Sequence, residues 1–147
     1  MDRGYHIRAA ISRSSAPPLG FTFRIGMRLP AVFTATGKAQ LETVPTQRLE
    51  NMFSNYWPKP LTRSSVKSLE ALKGELEAIR RRGYSIDDGQ IREGMICIGA
   101  AIRDFSGRSI GGVAISLIES EALPDVLDRV GVELRQTADA LSKRLGA

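Results

Sequence analysis

The fold is decided by residues 95–118, which read MICIGAAIRDFSGRSIGGVAISLI. In the first part, Ile96, Ile98 and Ile102 alternate with Cys97 and smaller residues, at the period of two that is typical of a strand. The middle of the stretch is rich in Asp, Ser and Gly, which favour a tight connection. We therefore predict an antiparallel hairpin whose strands cover residues 95–105 and 110–118.

Sequence patterns typical of helices lie on both sides of this hairpin along the chain. Apolar residues recur at steps of three and four along residues 65–82 and 120–145, which predicts two amphipathic helices. Arg80-Arg81-Arg82 followed by Gly83 suits the C-terminus of the first helix, where the helix dipole favours cations. Its candidate N-caps are Ser64, Ser65 and Ser68. Shorter helices are predicted over residues 34–44 and 47–56.

The N-terminal region reads as a second hairpin. Residues 5–13 and 19–25 have the alternation of half-buried strands, and a loop with two adjacent prolines separates them at 14–18. A short apolar strand precedes Asp87. Hairpins separated by a helical block predict the α+β class with an antiparallel sheet, and not a doubly wound parallel fold.

Length and composition restrict the class of protein. The 147 residues predict a single domain, 1–147, and the 42% hydrophobic and 25% charged content is that of ordinary globular proteins. A single cysteine, Cys97, excludes an internal disulfide, and a single histidine, His6, excludes a site that needs two histidines from one chain. We therefore predict no metal and no cofactor, and zinc suits this composition poorly.

Charge and hydropathy give weaker guidance on location and partners. No apolar stretch approaches the roughly 20 residues that span a bilayer, and the N-terminus lacks the apolar core of a secretory signal. The sequence thus predicts a cytoplasmic protein without a membrane partner. The formal net charge of +5 favours anionic partners without choosing between small anions and nucleic acid.

The stretch from Thr34 to Ala39, TATGKA, invites comparison with a phosphate-binding loop. The comparison fails, because Val32 stands where that loop needs Gly and Ala39 where it needs Ser or Thr. What remains is a helix start. Its free N–H groups either hold an anion or are simply capped by Thr34.

Three further residues have both a structural and a functional interpretation. Cys97 is either a small buried apolar residue or a nucleophile, and a nucleophilic thiol needs a basic partner, for which His6 is the candidate. Asp87 follows a strand and can point inward, whereas Asp88 suits an acidic turn. Ser116 is either a plain strand serine or a polar group of a site.

Several short motifs follow one another along residues 11–146. They are Gly26-x-Arg28-Leu29-Pro30, Thr34-Ala35-Thr36-Gly37-Lys38-Ala39-x-Leu41, Leu72 with Glu75-Leu76, Ile79-Arg80-x-x-Gly83-Tyr84-x-x-Asp87-Asp88, Gly94-x-x-Cys97-Ile98, Ile102-Arg103-Asp104 and Ala114-Ile115-Ser116. In this order and spacing they resemble the C-terminal effector-binding domain of IclR-family bacterial transcriptional regulators.

The resemblance implies a GAF-like fold, an antiparallel sheet flanked by helices with a pocket on one face. It implies a small organic acid as effector, no catalytic residue, and a homodimer or homotetramer. DNA would be bound only through a winged helix-turn-helix domain that is absent from this sequence. The ligand-binding positions that carry over are Leu29, Ala35, Thr36, Asp87, Cys97, Ala114 and Ser116.

Some features depart from the family pattern. The resemblance implies that the family's first helix and first strand are missing from this chain. Gln90 stands where the family commonly has Glu, Ala101 where it often has Pro, and Thr36 where Ala or Leu is frequent. Two other functions remain open at this point: a small enzyme that uses Cys97 or Asp87 in a similar pocket, and a nucleic-acid-binding accessory protein.

Overall fold

A computed structural model describes residues 6–8 and 24–147 of the chain. Its elements, in chain order, are β1 (His6–Arg8), β2 (Arg28–Pro30), α1 (Ala35–Leu41), α2 (Thr46–Met52), α3 (Leu69–Arg82), β3 (Ser85–Asp88), β4 (Met95–Arg103), β5 (Ser109–Ile118), a 3-10 turn (Glu119–Glu121) and α4 (Pro124–Arg144). All strand pairs in this part of the chain are antiparallel, which confirms the predicted α+β class.

The main sheet contains three strands in the order β3-β4-β5. The predicted hairpin is confirmed as β4 and β5, whose register pairs Cys97 with Ser116 and Gly99 with Ala114. The register shifts between Ile102 and Arg103, near the tight connection. β4 is the central strand, and burial on both faces explains its continuous run of small and apolar residues.

The alternation along β4 sorts its side chains between two apolar clusters. Ile98 and Ala100 belong to a cluster with Leu134 and Ala138 of α4. Met95 and Cys97 belong to the other cluster, with residues of β2, α1 and α3. Helices therefore cover both faces of the sheet, with α4 on one side and α1 and α3 on the other.

Helix α3 is confirmed in type but begins at Leu69, four residues later than predicted. Ser68 is its cap and accepts a hydrogen bond from the Ala71 N–H at 3.2 Å, and Gly83 ends it with φ of 90°. Ser65 is used elsewhere, because its hydroxyl accepts from the Leu61 N–H and donates to the Gln90 carbonyl. These bonds hold Ser65 in the preceding loop.

The remaining helices are also confirmed with shifted ends. α4 begins at Pro124, since proline suits the first helical position, and the 3-10 turn takes up residues before it. α1 starts at Ala35, capped by Thr34, and ends at Leu41, three residues before the predicted end. α2 ends at Met52 rather than at residue 56, and Ser54 donates to the carbonyl of Asn51 just beyond that end.

The predicted N-terminal hairpin requires correction where the structure describes it. β1 pairs with β2, matching His6 with Pro30, so residues 28–30 form a strand that the sequence did not predict. Ile25 was predicted within a strand, but it lies in a turn closed by the Met27 N–H on the Arg24 carbonyl and is 75% exposed. Residues 9–23, which hold most of the predicted hairpin, lie outside the described residues.

Within residues 6–8 and 24–147, no helix is both long enough and apolar enough to cross a membrane.

The approach of α1 to β4 depends on Gly99. A Cβ added there would lie 2.5 Å from the Ala35 carbonyl carbon and 2.8 Å from the Thr36 nitrogen, which are backbone atoms. We expect Gly99→Ala to lower the free energy of unfolding by about 1–3 kcal/mol, the usual cost of overpacking, as measured by urea denaturation.

Gly74→Ala is the matched control. Gly74 lies on the exposed side of α3 with nothing within 4 Å of an added Cβ. Alanine at this position should raise the free energy of unfolding by about 0.5–1 kcal/mol, because glycine weakens helix interiors. A Gly99→Ala protein as stable as wild type would show that the helix does not depend on this close contact.

Candidate functional site

Three of the predicted site residues form one row across the main sheet. Asp87 of β3 pairs with Cys97 of β4, which in turn pairs with Ser116 of β5. Directly paired residues of antiparallel strands point to the same face, so these side chains lie side by side. The Cys97 Sγ and the Ser116 Oγ are 3.1 Å apart.

The start of α1 lies over the next row of the same face. That row consists of Ser85, Gly99 and Ala114. The Ser85 hydroxyl donates to the carbonyl of Ala35, and the missing side chain of Gly99 lets the helix backbone approach. These contacts place Ala35 against Ser85 and Gly99, in the row next to that of Asp87.

Thr36 and Leu29 complete the set of predicted positions. The Thr36 side chain lies over Gly112, where an added Cβ would be 3.1 Å from the Thr36 Cβ. Leu29 of β2 is buried in the same apolar cluster as Ala35 and Cys97. The structure therefore gathers residues from β2, α1, β3, β4 and β5 on one face of the sheet, although they are far apart in sequence.

The site is closed at one end and open at the other. Asp87 is 1% exposed, and Ala35 and Cys97 are also buried. Thr36 and Ser116 are half-buried, and Ala114 is exposed. The exposure of this face therefore increases from β3 towards β5.

Asp87 is the most perturbed group of this face. Its Oδ1 accepts from the Gln90 N–H at 2.7 Å, while its Oδ2 is buried without a hydrogen-bond partner among the described residues. Burial raises the pKa of the Asp87 carboxyl to about 7, and the Gln90 N–H and the nearby Lys38 charge only partly oppose the shift. The carboxyl thus changes charge near neutral pH.

Lys38 and Glu75 form a partly buried ion pair next to Asp87 that the sequence analysis did not single out as functional. Lys38 is fully buried, and its Nζ lies 2.7 Å from the Glu75 Oε1. Burial lowers the pKa of Lys38, and the charge of Glu75 opposes this shift. Helical spacing carries a signal for both. Lys38 is three residues from Ala35 and from Leu41, which are buried on α1, and Glu75 is three residues from Leu72 and four from Ile79, which are buried on α3.

Gln90 connects this ion pair to Asp87. Its side chain donates to the Glu75 Oε1 at 3.0 Å and accepts from the Val66 N–H at 3.0 Å. Its backbone donates to Asp87 and accepts from the Ser65 hydroxyl at 2.7 Å. Gln90, which stands where the family commonly has Glu, is thus a buried side chain, and a glutamate there would lack the donor to Glu75.

The thiol of Cys97 is not poised for nucleophilic chemistry. Burial, with the charge of Asp87 as the second cause, raises the pKa of Cys97 to about 12. Such a thiol is protonated at neutral pH and is a poor nucleophile.

The other motifs have structural roles. Thr34 accepts from the Gly37 N–H at 3.0 Å, as the capping interpretation predicts. Asp88 is exposed, but the predicted acidic turn is wrong at this residue, because Asp88 ends strand β3 and pairs with Ile96. In the described part of the chain, no three His, Cys, Asp or Glu side chains are grouped as a metal site would require.

Comparisons with known proteins give one consistent family. The family model described as "Bacterial transcriptional regulator IclR C-terminal" matches residues 11–143. The HTH-type transcriptional repressor AllR of Klebsiella pneumoniae is 31% identical over 122 residues, which cover 83% of this chain and 45% of that protein. The HTH-type transcriptional regulator XynR of Escherichia coli is 29% identical, covering 84% and 49%. The chain spans about half the length of these curated relatives.

Solved structures agree with the sequence relatives. The crystal structure of the repressor BlcR from Agobacterium tumefaciens is 58% identical with a TM-score of 0.83, covering 88% of this chain and 53% of that one. IclR from Thermotoga maritima is 30% identical with a TM-score of 0.85, covering 93% and 55%. The inducer-binding domain of PobR from Acinetobacter, solved as a double mutant with 3-hydroxybenzoic acid, is 25% identical with a TM-score of 0.75, covering 88% and 74%.

The antiparallel sheet between helices, the order of the motifs and these matches agree, and the chain belongs to the IclR family of bacterial transcriptional regulators, in which it corresponds to the C-terminal domain.

Proposed function

We propose that this chain is the effector-sensing domain of an IclR-family regulator and that its effector is a small organic acid. The observation that carries the proposal is the convergence on one face of the sheet of the row Asp87, Cys97 and Ser116 with the start of α1. Support by similarity comes from PobR, whose inducer-binding domain was solved with 3-hydroxybenzoic acid.

Each residue has a role in the proposed complex. The effector carboxylate accepts from the backbone N–H groups of Ala35 and Thr36 and from the Ser116 hydroxyl. Protonated Asp87, which does not repel the effector carboxylate, accepts from a ligand hydroxyl through Oδ2, an atom with no hydrogen-bond partner among the described residues. The low-dielectric surroundings strengthen these few polar contacts. The apolar walls are Leu29, Cys97 and Ala114.

Regulation follows from unequal binding. An effector shifts an equilibrium only if it binds one conformation or assembly better than another. In our proposal the chain works in a homodimer or homotetramer, and DNA is bound by a separate winged helix-turn-helix domain of the full regulator. Such a regulator would act in the cytoplasm, where bacterial DNA is located.

The proposal assigns no catalysis to this domain. The named relatives are transcriptional regulators, and an enzyme based on Cys97 would need a thiolate that burial disfavours. An enzyme based on Asp87 would need a reaction partner, and the neighbouring polar groups Lys38, Glu75 and Gln90 bond with one another.

The site predicts saturable acid binding that depends on Ser116. In a thermal-shift screen of 2-oxo acids, hydroxybenzoates and dicarboxylates, an acid at 100 times its dissociation constant should add about 2.7 kcal/mol of stability and raise the Tm by roughly 5–10 °C. Ser116→Ala should weaken this acid about tenfold or more, the usual value of a hydrogen bond to a charged group, as measured by calorimetry.

Ser120→Ala is the control, because Ser120 is exposed and lies outside the row of Asp87. It should leave the affinity unchanged. Equal affinity of Ser116→Ala and wild type would remove Ser116 from the site.

Acid binding should weaken as pH rises through about 7, the pKa of Asp87. Ionised Asp87 repels a carboxylate, and the protonated fraction falls about tenfold between pH 6 and pH 8 for this pKa. We expect a loss of affinity of up to that factor in wild type and a flat profile in Asp87→Asn. A wild-type profile as flat as that of the variant would show that Asp87 does not face the bound acid.

The same group sets a pH dependence of stability without ligand. The folded pKa of Asp87 lies above its ordinary value of 3.8, so the folded state holds the proton more tightly. Its contribution to the free energy of unfolding is complete below pH 3.8 and is lost as pH rises through about 7. Asp87→Asn should remove this part of the slope in urea titrations between pH 4 and 8.

Cys97 should resist alkylation in the folded protein. With a pKa of about 12, roughly one thiol in ten thousand is ionised at pH 8. Iodoacetamide at pH 8 should leave folded Cys97 unmodified over hours and modify it fully in urea, as followed by mass spectrometry. Rapid modification of the folded protein would support the enzyme alternative.

A further inference from the structure

A cavity lies at the C-terminal end of α1, away from the row of Asp87. It has a volume of about 140 Å³ and is bounded by the ends of α1 and α3, the end of β4 and the side of α4. Its charged lining residues are Arg80, Arg103, Arg135 and Glu42. We call this cavity the arginine cleft.

Two of the arginines share one carboxylate. The Arg80 Nε donates to the Glu42 Oε1 at 3.1 Å, and the Arg103 Nη2 donates to the Glu42 Oε2 at 3.1 Å. A guanidinium has five N–H donors, so each arginine has donors beyond the one that binds Glu42. Their side chains are 61% and 38% exposed, which leaves both guanidinium groups room to reorient.

The third arginine is fixed and has an unmet donor. Arg135 donates through Nη1 to the Gly83 carbonyl at 3.3 Å and through Nη2 to the Ala101 carbonyl at 3.0 Å and to Asp139 at 2.6 Å. Its Nε is buried and has no acceptor among the described residues. A buried donor of a charged group is costly to leave unbonded, so an acceptor belongs in this cleft.

The charge balance favours an anion as that acceptor. Three guanidinium groups face the carboxylates of Glu42 and Asp139, which leaves one positive charge in excess. Guanidinium groups match the planar or tetrahedral oxygens of carboxylates and phosphates with paired hydrogen bonds. The helix dipole alone accounts for the run Arg80-Arg81-Arg82 in the sequence. In the structure, Arg80 has a second role, because it also lines this cleft.

We propose that the arginine cleft binds a small oxyanion, either a free phosphate or sulfate or a carboxylate group. Arg80 and Arg103 supply movable donors and Arg135 a fixed one. The proposal does not depend on the acid-sensing function, because the two sites lie at opposite ends of α1. Seven helical residues separate these ends by about 10 Å.

The test is calorimetric titration of the full chain with sodium phosphate at pH 7.5, with sodium chloride used to hold ionic strength constant. Sulfate and acetate in parallel titrations distinguish a tetrahedral ion from a carboxylate. We expect saturable binding of at least one of the three ions at millimolar concentration or below. Arg80→Gln and Arg103→Gln should each weaken it at least fivefold.

Two matched variants serve as controls. Arg81→Gln removes the same charge from the same turn of α3, and Arg81 does not line the cleft, so affinity should stay within twofold. Ser116→Ala should retain the ion binding that Arg80→Gln weakens, which separates this cleft from the acid site.

Two outcomes overturn the proposal. One is the absence of saturable binding for all three ions, which would mean that water satisfies the Arg135 Nε. The other is wild-type affinity in both Arg80→Gln and Arg103→Gln. If Arg103→Gln fails to fold, Arg80→Gln alone decides, because its largely exposed side chain can be changed without disturbing the core.

Discussion

The close contact between the start of α1 and strand β4 is the constraint on which the rest of the structure depends. It is possible because Gly99 has no side chain and Gly112 leaves room for Thr36. The Ser85 hydroxyl holds the Ala35 carbonyl from the neighbouring strand. The helix backbone, and not a layer of side chains, therefore meets the sheet. This places the first turn of α1 beside the polar row of the candidate acid site.

Burial of α1 has an electrostatic consequence. Because α1 packs so closely on the sheet, most of its residues are buried, and the Lys38 side chain is fully buried among them. A buried ammonium group is unfavourable without a partner, and Glu75 supplies one at 2.7 Å. Gln90 then donates to the same Glu75 oxygen, Oε1, and at the same time holds Asp87 through its backbone. The position of Asp87 is thus tied to α1 and α3 by one continuous polar network.

The two ends of α1 present opposite kinds of polar chemistry. At its start, a buried carboxyl has a pKa near neutrality because it is desolvated and only partly compensated. At its end, arginines stay charged at any physiological pH, since the guanidinium group does not lose its proton in proteins. Acid recognition at the first site should therefore respond to pH through Asp87, whereas oxyanion binding in the arginine cleft should not depend on protein ionisation. Helix α1 connects the candidate acid site with the arginine cleft.

The sequence by itself determined the α+β class, the β4–β5 hairpin and helices α3 and α4, because local periodicity records which face of each element is buried. Motif order also indicated the family and a set of candidate positions. The sequence places the start of α3 too early, because Ser65 bonds to Gln90 instead of capping the helix. It does not predict strand β2, because a strand of three residues is too short to show an alternating pattern. Only the tertiary structure decided that Lys38 pairs with Glu75 and that one Asp87 oxygen has no hydrogen-bond partner among the described residues. Both facts depend on contacts between residues far apart in sequence, and on desolvation, which no local pattern encodes.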